Sequence, residues 1–281
     1  MSGKFENVVI VTDMDGTYIS HTEEGVRRNL EKIEYFKANG GCFTFATGRG
    51  VNHVLIAQEN AAEVTNLPVI CCNGAVLYDL QKDEQIAVYP IDHRLAYELH
   101  NKFDELTSIE GCENAANGHK SVLYKKKEYV KNAAWYYDLV HFQHDLYEIM
   151  TPEEWDECDI HKIGFVGERQ AVTNIRKHLD PLFEDRFSIT QASPRYYEFN
   201  AYGVSKAAGI KKMLGLVFGD KKTTLCVAGD YDNDIEMLKL ADLACCPENA
   251  NDRVKAVCHK CFCHHDQGLI ADIIEYLDTV L

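Results

Sequence analysis

The hydrophobic and polar positions of this chain trade places in a regular way over its first seventy residues. Val8-Val9-Ile10-Val11-Thr12 is a β-branched run that ends in two carboxylates, Asp13 and Asp15, and then Gly16. A run apolar on both faces predicts a buried parallel strand rather than a half-exposed one. Thr22-Glu23-Glu24 then opens a segment whose apolar positions, Val26, Leu30, Ile33 and Phe36, recur at helical spacing until Gly40-Gly41. A capping hydroxyl, acid in the first turn and glycine at the end all suit a helix. Cys42-Phe43-Thr44-Phe45-Ala46 predicts a second strand, which leads into Thr47-Gly48-Arg49. Strand, helix and strand in so short a span form a βαβ unit with a right-handed crossover, which brings Thr47 to the same sheet edge as Asp13. A helix through Val54, Leu55 and Ala57 follows, then a strand over 69–72 that ends in the polar turn Asn73-Gly74.

The rhythm then changes. Residues 75–78 and 85–89 read as paired strands, and residues 91–185 mix helices and strands without any further acidic strand end. Asp92 is placed to cap a helix that carries Leu95, Leu99, Phe103 and Leu106 on one side. Residues 121–124 and 160–166 read as strands and 169–179 as a helix. The βα alternation is expected to resume near Tyr196-Tyr197-Glu198-Phe199. A helix over 205–214 follows, with Lys206 in its first turn, where a cation opposes the helix dipole. Thr224-Leu225-Cys226-Val227-Ala228 predicts another buried strand, and it ends in Gly229-Asp230-Tyr231-Asp232-Asn233-Asp234. Residues 243–246 and 257–263 are weaker strands, and 266–281 a closing helix. The expected organisation is one α/β domain made of residues 1–83 and 190–281, interrupted by an inserted α+β domain at 84–189.

Composition narrows the classes. The chain has 281 residues, 46% of them hydrophobic, enough for more than one packed core. A formal charge of −15 argues against a general nucleic-acid or anionic-membrane surface. No segment approaches the ~20 apolar residues of a membrane span, and the first seven residues lack the layout of a secretory signal. The 11 cysteines are therefore expected to be mostly reduced thiols in a cytoplasmic protein.

The polar groups at the strand ends form a chemically consistent set. If Asp13, Asp15, Asp230 and Asp234 converge, their negative charge calls for a hard divalent cation, and Mg²⁺ favours carboxylate oxygens. Thr47 and Lys206 supply a hydroxyl donor and a compact positive charge, a natural pair for phosphate oxygens. Carboxylates, a cation and phosphate donors together describe phosphoryl transfer.

The set resembles the haloacid dehalogenase (HAD) superfamily of phosphatases, and within it the Cof-type, class IIB branch. The resemblance spans nearly the whole chain and rests on Asp13-Met14-Asp15-Gly16-Thr17, Thr47-Gly48-Arg49, Asn73-Gly74-Ala75, Gly203-Val204-Ser205-Lys206 and the Gly229–Asp234 run. It implies a Rossmann-like parallel-sheet core with an inserted α+β cap of the C2 type. It also implies that Asp13 is the nucleophile forming an aspartyl-phosphate, with Asp15 as general acid and base. The Mg²⁺ ligands implied are the side chains of Asp13 and Asp230 and the main-chain carbonyl of Asp15, with Asp234 behind them. Thr47, Gly48, Arg49, Asn73, Lys206 and Asn233 are implied as phosphate or substrate contacts. The expected substrate is a small phosphorylated metabolite, sugar phosphates foremost; no nucleic-acid or membrane partner is expected, and the sequence leaves the oligomeric state open.

Plainer readings compete at several positions. Lys206 alone reads as a solvated helix residue, Thr47 as a strand-end cap, and Asp232 as a helix N-cap, the preferred reading for that residue. Cys258-His259-Lys260-Cys261-Phe262-Cys263-His264-His265 has a Cys-x-x-Cys spacing that zinc can use, although strand alternation would split its side chains between two faces. Lys125-Lys126-Lys127 reads as a solvated face. Tyr18 stands where relatives usually carry an aliphatic residue, with packing at the cap or the substrate entrance in view. His119, His141, His144 and His161 are candidate cap contacts. A phosphomutase or phosphotransferase of the same superfamily is the nearest alternative function, and a non-catalytic ligand-binding protein a more distant one.

Overall fold

The computed structural model describes residues 3–106, 109, 112, 118–123, 127–130, 148–149, 159–193 and 195–281. The chain divides into two compact units, the first comprising Met1–Arg49, His53–Ala87 and Ser205–Leu281 and the second Gly50–Asn52 and Val88–Val204.

The first unit is built on a five-stranded parallel sheet in the order Lys260–Cys261, Leu243–Cys246, Thr224–Ala228, Val8–Thr12, Cys42–Phe45. All five residues of Val8–Thr12 are buried, as the doubly apolar run requires. Its register pairs Thr12 with Ala228 on one side and with Phe45 on the other, so three strands end at the same level. Asp13 follows at once and donates its backbone N–H to Ala228 at 2.9 Å. Helix Glu23–Ala38 is capped by Thr22, whose hydroxyl accepts from Gly25 N–H at 3.1 Å. Its buried Asn29 ties it to the closing helix Leu269–Val280, since the side-chain oxygen accepts from Ala271 N–H and the amide donates to the Tyr18 carbonyl.

Three sequence expectations change here. The third strand spans Val69–Cys71 and is joined to the edge of the main sheet by a bridge between Ala46 and Ile70. It pairs antiparallel with Val76–Asp79 in a separate three-stranded sheet, because the turn at Cys72–Gly74 reverses the chain. Of the run 257–263 only Lys260–Cys261 is strand, and the closing helix starts at Leu269, after Gly268 leaves the helical region with φ +88°. Tyr18 is buried, its ring 4.7 Å from that of Phe45.

The second unit has a six-stranded sheet in the order Phe187–Ser193, Tyr196–Ala201, Ile160–Val166, Gly118–Leu123, Lys127–Val130, Glu148–Ile149. Asp92 caps its first helix, His93–Leu106, by accepting from Leu95 N–H at 3.1 Å. That helix and Arg169–Phe183 bury Leu99, Phe103, Ile175 and Leu179 in one core with Phe165 and Phe199. Tyr196–Ala201 does not resume the βα alternation as expected. It pairs antiparallel with Ile160–Val166 and Phe187–Ser193, so residues 190–204 remain with the second unit and the chain rejoins the first at Ser205.

Candidate active site

The site forms where the parallel strands of the first unit end. After Val8–Thr12 the chain turns through Met14–Tyr18, with Gly16 at φ +73°. A Cβ on Gly16 would lie 2.6 Å from Asp230 Oδ2, so only glycine allows this loop to press against the Asp230 carboxylate. Thr17 Oγ1 donates to the other oxygen, Asp230 Oδ1, at 2.6 Å, and Asn249 Nδ2 holds the Gly16 carbonyl at 2.8 Å. Neither contact was expected: Thr17 stood only as part of its motif and Asn249 had no expected role. A hydroxyl directly after Gly16 was the available signal for Thr17.

Lys206 is supplied by the helix Lys206–Phe218, whose N-cap Ser205 accepts from Ala208 N–H at 3.2 Å. Gly74, at φ +102°, lets the Cys72–Gly74 turn lie directly on the Ser205 carbonyl, which fixes the start of that helix. Lys206 is only 2% exposed, so the solvated reading is overturned. Its Nζ donates to Asp13 Oδ1 and to Asp234 Oδ1, each at 2.7 Å. Asp234, fully buried, accepts with its second oxygen from the backbone N–H groups of Asp230 and Tyr231, at 3.0 and 3.1 Å. One carboxylate thus anchors the lysine and shapes the loop that presents Asp230.

Oxygens from Asp13, Asp230 and Asp234 all lie within 4.8 Å of one another. Burial pushes the Asp13 carboxyl well above the usual carboxylate range, with Lys206 opposing and the neighbouring acids adding to the rise. Burial likewise pushes Asp230 up to about 6, against the lowering effect of the Thr17 hydrogen bond. Burial disfavours charge on Lys206 too, but Asp13 and Asp234 outweigh it and hold the ammonium protonated. When all four groups are ionised, three carboxylates face one ammonium, an excess of negative charge that a hard, oxygen-seeking dication is suited to cancel.

The remaining expected residues surround this cluster unevenly. Thr47 is buried, and its Oγ1 accepts from Arg49 N–H at 3.1 Å, so its hydroxyl caps the turn while its own proton stays a donor. Asn73 is buried at φ +57° and donates its backbone N–H to the Thr47 carbonyl at 2.9 Å. Gly48 follows Thr47 and is half-buried, and Asn233 is half-buried in the turn Asp232–Asp234. Arg49 grips Asp15 with two bonds, Nε to Oδ2 at 2.8 Å and Nη2 to Oδ1 at 2.6 Å, a contact the sequence did not anticipate. Asp232 is not the N-cap, which is Tyr231; its carboxylate accepts from Asn251 and Arg253 instead. Of the cap histidines, His161 is buried, and burial pushes its pKa down to about 4, so it is neutral at physiological pH. His119 lies in the strand Gly118–Leu123, while His141 and His144, like Lys125 and Lys126, fall outside the described residues.

Two groups among the described residues bring metal-binding atoms together: the Asp13, Asp230 and Asp234 cluster, and His21 with His265 and Asp266. The cysteines of the 258–265 run enter neither. No helix among the described residues is long and apolar enough to cross a membrane.

Comparison with known proteins gives this geometry its class. The sequence profile of the haloacid dehalogenase-like hydrolases matches residues 10–274, and the chain belongs to that family. It is a HAD hydrolase of the Cof-type phosphatases. A provisionally named Mycoplasma pneumoniae phosphatase is 26% identical over 268 residues, covering 91% of this chain and 90% of its own length. The Bacillus subtilis 5-amino-6-(5-phospho-D-ribitylamino)uracil phosphatase YcsE is 26% identical over 250 residues, covering 88% and 86%. Among solved structures, the HAD subclass IIB sugar phosphatase BT4131 superposes with a TM-score of 0.77 at 20% identity, covering 97% of this chain and all of its own.

Proposed function

We propose that this phosphatase is Mg²⁺-dependent and hydrolyses small phosphorylated metabolites in the cytoplasm, sugar phosphates foremost, through an aspartyl-phosphate on Asp13. The observation that carries the reading is the buried Lys206 ammonium, 2.7 Å from both Asp13 and Asp234, with Asp230 alongside. The sugar-phosphate preference is supported by the likeness to BT4131 alone.

In this reading Asp13, Asp230 and Asp234 fit a divalent ion because they offer hard oxygens in surplus over the one local cation. Mg²⁺, when bound, would supply positive charge to the oxygens of the transferring phosphoryl group. Lys206 orients the Asp13 carboxylate and neutralises its charge, so an anionic phosphate is not repelled from the attacking oxygen. Asp13 attacks phosphorus, and the leaving alkoxide takes a proton from Asp15. Asp15 then draws the proton from water as the aspartyl-phosphate is hydrolysed, restoring both residues. Thr47 donates its hydroxyl to a phosphoryl oxygen. Arg49 occupies both oxygens of Asp15 here, so proton delivery requires that pair to open. Opening releases Arg49 Nε and Nη2, a donor fork of the kind phosphate prefers, while Nη1 donates to the His53 carbonyl at 3.3 Å.

A panel of hexose, pentose and other phosphomonoesters, assayed with Mg²⁺ and after chelation, tests the reading. Inorganic phosphate release that is strongest on sugar phosphates, falls on chelation and is abolished by Asp13→Asn is the expected result. Undiminished release by Asp13→Asn overturns the assignment. Phosphate that moves between sugar positions without release points instead to a mutase.

A further inference from the structure

A second constellation of polar groups, sharing no residue with the acidic cluster, lies where the loop before helix Glu23–Ala38 meets the turn before Leu269–Val280. His21 Nδ1 and Asp266 Oδ1 are 3.0 Å apart, and the same oxygen accepts the His21 backbone N–H at 2.7 Å. His265 stands edge-on to His21, ring centroids 5.4 Å apart. One ring nitrogen from each histidine and one oxygen of Asp266 lie within 4.8 Å of one another.

Three features distinguish this cluster from a chance gathering of surface groups. His265 Nδ1 sits 2.7 Å from the Ile19 carbonyl, which can only accept; Nδ1 therefore carries the proton and Nε2 keeps its lone pair. A histidine whose other nitrogen is fixed by a carbonyl is the usual arrangement of a metal-ligating imidazole. The backbone around the cluster is held in place: Ser20 and Thr22 hydroxyls both donate to the Asp266 carbonyl, and Arg28 reaches the next one, at Gln267. The three side chains also grade from 9% exposed for His265 through 28% for Asp266 to 75% for His21, so a hydrated ion can enter from the His21 side.

We infer that His21, His265 and Asp266 bind a dication of the zinc class. Two imidazoles and one carboxylate form a borderline donor set, preferred by Zn²⁺, Co²⁺ or Ni²⁺ over Mg²⁺. The ligand atoms of a tetrahedral zinc stand about 3.3 Å apart, close to the present His21–Asp266 spacing. The ion would replace the proton shared by His21 and Asp266. The bound ion would clamp residues 19–22, the continuation of the Asp13–Tyr18 loop, to the turn that starts the last helix. The inference does not depend on the phosphatase reading.

Co²⁺ alone, titrated into the full chain in excess Mg²⁺ and followed by visible absorption and equilibrium dialysis, tests the site. The wild type should bind one Co²⁺ with a spectrum free of thiolate charge-transfer bands. His21→Ala should lower that affinity at least about tenfold, the scale seen even when an outer partner of a ligand is lost. Asp266→Asn should do the same and Asp230→Asn should not. His21 is exposed, so its loss leaves the fold intact, and Zn²⁺ should raise the melting temperature of the wild type but not of His21→Ala. An unchanged titration in His21→Ala, no Co²⁺ uptake in excess Mg²⁺, or tight uptake with thiolate bands would each overturn the inference.

Discussion

Two lysines are buried among the described residues, and they keep different company. Lys162, in the second unit, meets Glu198 at 2.5 Å, with side chains 7% and 6% exposed. Lys206, in the first, meets Asp13 and Asp234 at 2.7 Å, with Asp230 completing the carboxylate group. In the first, a positive and a negative side chain meet directly. The second sets three carboxylates against a single ammonium. Taking a charge out of water costs several kcal/mol even after relaxation, so the excess is tolerable only if positive charge arrives from outside. Charge surplus, more than burial, separates a site from an internal strut.

Removing one partner from each arrangement sharpens the contrast. Lys206→Met leaves three buried acids with no internal cation. Phosphate release should fall by about 10²–10³-fold, the usual cost of losing one preorganised charge stabiliser. Metal-free stability should drop by about 3–5 kcal/mol. Saturating Mg²⁺ should restore part of that stability and none of the turnover, measured by urea denaturation and a phosphate assay in parallel. Glu198→Gln removes the carboxylate at the Lys162 ammonium and should lower stability by about 1–3 kcal/mol, the cost of a lost hydrogen bond to a charged group, and here Mg²⁺ should restore nothing. Recovery of Glu198→Gln by Mg²⁺ would erase the distinction between the two sites.

The pH dependence carries the same contrast in another form. Burial pushes Asp230 up to about 6 from an ordinary value of 3.8, so the folded chain holds this proton more tightly than the unfolded chain does. The resulting stability is present in full below about pH 3.8 and is lost as pH rises through about 6. A shift of that size is worth on the order of 3 kcal/mol, and Asp13 acts with the same sign. Denaturation of chelated protein between pH 4 and 7 should show the decline, and Asp230→Asn should flatten it. Saturating Mg²⁺, by stabilising the ionised carboxylates, should oppose the decline at the upper end of the range.

What the sequence disclosed follows from the kind of information each element needs. Asp13 and Asp230 were legible because a doubly apolar strand predicts its own burial, and the residue after it must then emerge at the sheet edge. Lys206 stood out because a cation in a first helical turn has to be explained by something other than the helix. The Tyr196–Ala201 strand was misplaced because Tyr-Tyr-Glu-Phe reads alike in a parallel or an antiparallel sheet, and only its distant partners, Ile160–Val166 and Phe187–Ser193, decide. The Arg49–Asp15 grip was hidden for a related reason: two residues known only as separate site candidates can meet each other as readily as a ligand. Asp234 gave away its presence but not its double duty, which depends on which of its oxygens faces Lys206 and which faces the loop.

Thr17 offers the finest test of how the surplus charge is managed. Its hydroxyl donates to Asp230 Oδ1 at 2.6 Å, a hydrogen bond that favours the ionised form of that acid against burial. Thr17→Val keeps the shape of this fully buried side chain and removes only the donor. Asp230 should then hold its proton more tightly and be free to rotate, which weakens its grip on Mg²⁺. An apparent Mg²⁺ affinity lower by about tenfold is expected, near the low end of the cost of losing a partner behind a metal ligand. Turnover at saturating Mg²⁺ should stay close to that of the wild type, because Thr17 acts through Asp230 and not on the reacting atoms. The two quantities are separated by measuring kcat across a Mg²⁺ titration. A drop in kcat with Mg²⁺ affinity unchanged would place Thr17 among the groups that touch the phosphoryl oxygens and would make the Asp230 contact incidental.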